Sequence, residues 1–244
     1  KATNGTVIGT ASADEFTLVG TKQVEANDII FGNVTGVAGG NGSDEIIGAA
    51  NQAWQLSGTD KQITANEIAF TAVEKATNGT VIGTASADEF TLVGAKQVKA
   101  NEITFGNVTG VAGGNGSDEI IGAADQAWQL SGTDKEITAN EITFTAVEEA
   151  TNGTITGTTG VDAFTVSDAA DTDKQVTANS ILFSNISSVN GADNTDLVTG
   201  SLTWNLLSTG FNSSGINFIG VETVNSTTGG TLNGTDLADQ FTLG

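Results

Sequence analysis

The sequence predicts an all-β protein, a parallel β-solenoid (β-helix) built from modules of about 37 residues paired into 74-residue tandem repeats. Three observations predict it. Residues 1–74 return at 75–148 with 67 identities in 74 positions. A half-length echo runs inside each copy. Apolar residues alternate with polar ones over short runs, and helical spacing is found nowhere over a useful length. A period carried through a whole chain marks an array whose units bury their apolar faces on one another.

The modules follow in order. Phe16-Thr17-Leu18-Val19-Gly20 is echoed by Trp54-Gln55-Leu56-Ser57-Gly58, and Gln23–Phe31 by Gln62–Phe70. Repeat unit 1 is therefore 1–74 and unit 2 is 75–148. A diverged unit 3, 149–222, keeps Asp162–Val166, Gln175–Asn179, Trp204–Leu206 and Phe218–Glu222. It carries an insertion around 167–173, where a loop is expected. Residues 223–244 begin a further unit, with Gly234–Gly244 corresponding to Gly9–Gly20. Because the chain opens and closes inside repeats, the expectation is a slice of one longer, continuous solenoid.

The differences between the first two copies predict which faces are buried. Ile30 becomes Thr104 and Asp28 becomes Glu102, while Ile29 and Phe31 recur unchanged; Ala69 becomes Thr143 between the constant Ile68 and Phe70. Side chains alternate faces along a strand, so 29, 31, 68 and 70 point inward and 28, 30 and 69 outward. Each module is expected to form one wide rung or two narrow ones, with like residues stacked on like: Phe on Phe or Trp, Ile on Ile or Val. Asn27, Asn66, Asn101, Asn140 and Asn179 share one module position. Left-handed corners and a ladder of stacked amides are expected there.

Composition narrows the function. The 32 glycines and the lack of proline suit short strands joined by tight turns. Twenty-nine acidic residues face 8 lysines, for a net charge of -21. That balance argues against nucleic acid, whose phosphates need clustered Lys and Arg. No segment is long and apolar enough for membrane insertion. Lack of Cys and His removes thiolate chemistry, zinc–sulfur sites and the commonest general base. Acidic residues recurring in every copy suit structure better than one catalytic centre, so no enzyme is expected.

Gly39-Gly40-Asn41-Gly42-Ser43-Asp44-Glu45-Ile46-Ile47, repeated at 113–121, fits the G-G-x-G-x-D-x-U-x nonapeptide. Gly9–Phe16 and Gly234–Phe241 are relaxed versions, and Phe-x-x-Val-Glu recurs at 70–74, 144–148 and 218–222. On these motifs the chain resembles the repeat region of giant secreted bacterial surface and adhesin-type proteins, with degenerate RTX (hemolysin-type) repeats. The resemblance implies an extracellular or cell-surface location and calcium (Ca2+) held through Asp44 and Asp118. Departures weigh against that calcium site, since a full motif comes once per 74 residues and calcium takes six to eight oxygens. Trp54, Trp128 and Trp204 share a face with leucine in their strands and are assigned to the core, not to a sugar-stacking platform. Asn-x-Thr triplets such as Asn4-Gly5-Thr6 and Asn33-Val34-Thr35 are expected by chance in this composition.

The expected function is a structural and adhesive extracellular module of a bacterial fibre, coat or biofilm adhesin. Its expected partners are further copies, joined through the solenoid ends, and cell-surface or matrix glycans. The alternative is a calcium-binding RTX-like β-roll serving secretion and folding of a passenger protein. An ice-binding solenoid would need a Thr-x-Thr ladder through every module, and the sequence lacks one.

Overall fold

The computed structural model describes residues 3–167, 174–200, 203–227 and 229–235. Residues 168–173 of the expected loop, and the fragment after 235, lie outside the described residues. The fold is an all-β parallel solenoid, with no helix among the described residues. The chain packs as two compact units, Lys1–Ile121 with Asn140–Val147 and Gly122–Ala139 with Glu148–Gly244, whose limits cut across the 74-residue copies.

In the first unit the first copy winds through three circuits, not through two equal rungs. The first circuit is one long strand, β1 (Thr3–Ile8), followed by a turn over 9–14. The second runs through β2 (Glu15–Gly20), β3 (Gln23–Ala26) and β4 (Ile29–Ala38) to a turn over 39–44. The third takes β5 (Glu45–Ile47), β6 (Ala53–Leu56), β7 (Gln62–Ala65) and β8 (Ile68–Thr71) to a turn over 72–74. The second copy repeats this as β9 (Lys75–Ile82), β10 (Glu89–Gly94), β11 (Gln97–Ala100), β12 (Ile103–Ala112) and β13 (Glu119–Ile121).

Hairpins set the order. Strand β2 pairs in parallel with β5, a circuit ahead, and β3 and β4 fold back antiparallel so that β4 lies against β1. The first sheet of this unit therefore reads β1–β4–β3–β2–β5–β9–β12–β11–β10–β13. The second reads β1–β4–β8–β7–β6–β9–β12 and ends on Ile142–Thr145. The two halves of a 74-residue copy thus place equivalent hairpins in different sheets. This corrects the expected stacking of like on like at several positions: Phe16 pairs with Ile46 and Ile46 with Ala76, and Val37 pairs with Phe70 and Phe70 with Ile63. Like does meet like where Val7 pairs with Val37 and Val81 with Val111.

Long strands cross between sheets at a bend. The register shifts there between Gly5 and Thr6 and between Val108 and Gly110. Gly79 takes φ 91°, and a Cβ on it would lie 1.9 Å from the Gln52 carbonyl oxygen. Only glycine fits so close an approach. The next amide, Thr80 N–H, donates to that same oxygen at 2.8 Å.

The recurrent asparagines are left-handed as expected, but not as stacked corners. Asn66-Glu67 (φ 50° and 61°) and Asn101-Glu102 (φ 46° and 61°) form the two central residues of hairpin turns. Two successive positive φ values mark the turn whose twist matches paired strands. Their amides reach other partners: Asn66 Oδ1 accepts from Gln52 Nε2 at 3.3 Å, and Asn140 Nδ2 donates to the Gly94 carbonyl at 3.4 Å. The amide ladder lies instead at the bend. Asn107 Nδ2 donates to Asn78 Oδ1 at 2.7 Å, and Asn78 Nδ2 donates to the Gly48 carbonyl at 2.7 Å. Asn185, Asn152 and Gly122 repeat the chain in the second unit. These are asparagines of Asn-x-Ser/Thr triplets, with their amides committed to the fold.

The core lies between the two sheets. Ile68 and Phe70 are fully buried and Ala69 is exposed, so the substitution pattern identifies the faces correctly there. In β4 it does not: Ile29 and Ile30 are both 47% exposed and Phe31 is half-buried, although the copies Ile103 and Phe105 are fully buried. Trp54, Trp128 and Trp204 are buried, and Trp54 packs edge-on against Phe70 at 6.4 Å. The indole N–H groups of Trp54 and Trp128 donate to the Asn78 and Asn152 carbonyls at 2.6 Å.

In the second unit, Glu149–Thr156 pairs in parallel with Ile181–Asn190, again with a shift at the bend glycine, Gly153. Ala163–Val166 and Val176–Ala178 form a hairpin with it. Thr203–Leu206, Phe211–Ser213 and Ile216–Ile219 form another, around a Phe211–Phe218 stack at 5.0 Å. The diverged sequence keeps the same path because it keeps the alternation.

Candidate functional site

The nonapeptide turn, its relaxed relative and the Phe-x-x-Val-Glu turn all lie on the edge where the chain returns from the second sheet to the first. They stack on one another. Asp14 N–H donates to Asp44 Oδ1 at 2.8 Å, and Asp44 N–H donates to Glu74 Oε2 at 2.9 Å. The adjoining backbone continues the ladder, Glu45 N–H to the Asp14 carbonyl and Lys75 N–H to the Asp44 carbonyl. The second unit repeats it: Asp162 N–H to Asp196 Oδ1 at 2.7 Å, then Asp196 N–H to Glu222 Oε2 at 2.9 Å. Each carboxylate thus holds a backbone amide of the preceding circuit, in the turn just before the next strand begins.

The other oxygens have different environments. In the relaxed turns one oxygen closes its own loop: Asp88 Oδ2 accepts from Thr84 N–H at 2.6 Å and from the Thr84 hydroxyl at 2.9 Å. Thr158 and Asp162 do the same. In the full turn Asp44 is wholly buried, and its Oδ2 has no hydrogen-bond partner. That oxygen presses on the turn's first glycine: a Cβ on Gly39 would lie 2.5 Å from it and 2.1 Å from the Ala72 carbonyl oxygen. Asp196 Oδ2 is buried and unpartnered against Gly191 in the same way. Glycine at these positions lets a carboxylate pack beneath the chain.

Electrostatics follow from this packing. Burial pushes the Asp44 carboxyl above its usual range; the Asp14 N–H opposes the shift, and the charges of Glu74 and Asp14 add to it. Asp196 is raised for the same reasons, with Asp162 and Glu222 as neighbours. Burial also pushes Glu74 upward, but the Asp44 N–H and the Lys61 ammonium at 2.9 Å outweigh it and hold Glu74 below its usual range. Lys61 is raised by that hydrogen bond and by the charge of Glu74.

Of the residues expected to hold calcium, Asp44 and Asp118 both lie fully buried in equivalent turns, with Asp118 Oδ1 accepting from Asp88 N–H at 2.8 Å. Among the described residues no group of three or more Asp or Glu is placed to hold a metal ion. Sequence reasoning missed the ladder partners Asp14, Glu74, Asp162, Asp196 and Glu222. A signal was present, because Asp14, Asp44 and Glu74 are evenly spaced and each immediately precedes a strand. Comparison of the chain with protein-family models, with curated proteins and with solved structures gives no match.

Proposed function

We propose that this chain is a structural and adhesive module of an extracellular bacterial surface fibre, coat or biofilm adhesin, extended by adding circuits end to end. The carrying observation is the recurrence of like circuits, each closed by parallel pairing with a neighbour. In the second copy Val81 and Ile103 are fully buried and β9 is flanked by β5 and β6. A strand edge of such a stack offers unpaired backbone groups to another circuit. Joining unlike ends is a heterologous contact, which propagates as an open filament.

A net charge of -21 disfavours lateral clumping and leaves axial addition as the favoured route. The extracellular location rests on the resemblance of the Gly/Asp-rich turns. Electron microscopy of the purified chain with and without calcium tests the proposal: linear assemblies are expected in both conditions, and single particles at every concentration would overturn it. One observation favours the calcium-dependent reading, the buried and unpartnered Asp44 Oδ2 inside a full Gly/Asp turn. A large gain of β signal in circular dichroism on adding calcium, lost in Asp44→Asn, would favour that reading.

A further inference from the structure

The two sheets of the first unit present different outer faces. On the first sheet the outward positions carry Glu15, Glu25, Glu45, Lys75, Lys99 and Glu119. On the second sheet no outward strand position of its eight strands is charged. One row across it reads Thr6, Gly36, Ala69, Thr64, Gln55, Ile82, Ala112 and Thr145, in unbroken register. The parallel row includes Thr71 and Gln62, paired across β7 and β8. In a chain with net charge -21 this is an uncharged strip of hydroxyls, amides and methyl groups.

We infer that this strip is a docking surface for a neutral linear polysaccharide lying along the stack of strands. The inference rests on the surface-module reading and names its partner. Size argues for a chain-like ligand. Eight strands at the usual spacing make a strip about 34 Å long, and its three- to four-residue segments make it roughly 10–13 Å wide. That area, about 400 Å², is half of the ~800 Å² per partner that a stable protein interface buries. Chemistry argues for a polyol. A threonine hydroxyl both donates and accepts, as sugar hydroxyls do, and its methyl group meets the C–H face of a sugar ring. Charge argues for neutrality, since a cationic partner would favour the carboxylates of the first sheet and a polyanion would be repelled by the whole chain.

Cosedimentation of the purified chain with insoluble cellulose, with chitin and with polygalacturonate gel, at low and high salt, tests this. Retention on a neutral polymer is expected, unchanged by salt because no ion pair is screened, with no retention on polygalacturonate. The double variant Thr64→Glu/Ala69→Glu should lower retention roughly tenfold, because a carboxylate facing a neutral polymer is desolvated without a partner. Thr17→Glu/Thr77→Glu, adding equal charge to the other sheet, should leave it unchanged, with circular dichroism reporting the fold of each. Thr145→Glu, at the far end of the same row, gives a second probe should the double variant unfold. No retention on either neutral polymer, equal loss in both double variants, or retention that falls with salt would overturn the proposal. Linear assemblies that ignore cellulose and chitin would overturn it while leaving the surface-module reading intact.

Discussion

Asp44 and Glu74 share a hydrogen bond yet respond oppositely to pH. The Asp44 carboxyl is raised by burial, so its protonated form is favoured in the fold. Its contribution to stability is complete below the unfolded pKa and is lost as pH rises through the raised folded value. Glu74 is lowered, so its contribution is present above the unfolded pKa and is lost as pH falls through the lowered value. Asp44→Asn keeps an acceptor for Asp14 N–H and removes the buried charge. It should raise the urea midpoint at neutral pH and flatten the change in midpoint just above the ordinary aspartate range. Asp44→Ala leaves that amide without its acceptor and should cost about 1–3 kcal/mol. The core gives a sharper contrast: Ile68→Asp should abolish folding, while Ala69→Asp, one position along on the wet face, should be mild. Equal damage in thermal melts would invert the strand's faces. This much was legible from Ala69 becoming Thr143 between two constant residues. The ladder was not, because its three turns share little beyond a final carboxylate and an even spacing.

Hairpins are what the repeat concealed at the scale of elements. The half-length echo is real, since β2–β3–β4 and β6–β7–β8 are equivalent excursions, but they sit in different sheets. Sequence period reports that two segments are alike, not which neighbour each one meets. Skipping ahead and filling back is a choice of strand order that side-chain alternation leaves open. The turns were half legible. Asn-Asp and Asn-Glu at the shared position implied positive φ, yet a left-handed residue serves a solenoid corner and a two-residue hairpin equally well. Glu67 holds φ 61° without glycine's freedom. Glu67→Gly should therefore raise stability by about 0.5–1 kcal/mol, outweighing its exposed ion pair with Lys22. A lower urea midpoint in that variant would show that the turn is not the hairpin described.

For the whole molecule, the account rests on circuits that complete one another. Strand β9 shows this within one unit, lying between β12 on one side and β5 and β6 on the other. Composition made an acidic array legible, whereas the hairpins and the uncharged strip needed the strand order. The most direct test compares amide hydrogen exchange by NMR at two equivalent threonines. Thr80 N–H is held by the Gln52 carbonyl and Thr154 N–H by the Gln126 carbonyl, both at 2.8 Å and each within its own unit. Slow exchange is predicted at both amides, at every concentration. Fast exchange at either amide would contradict the circuits described.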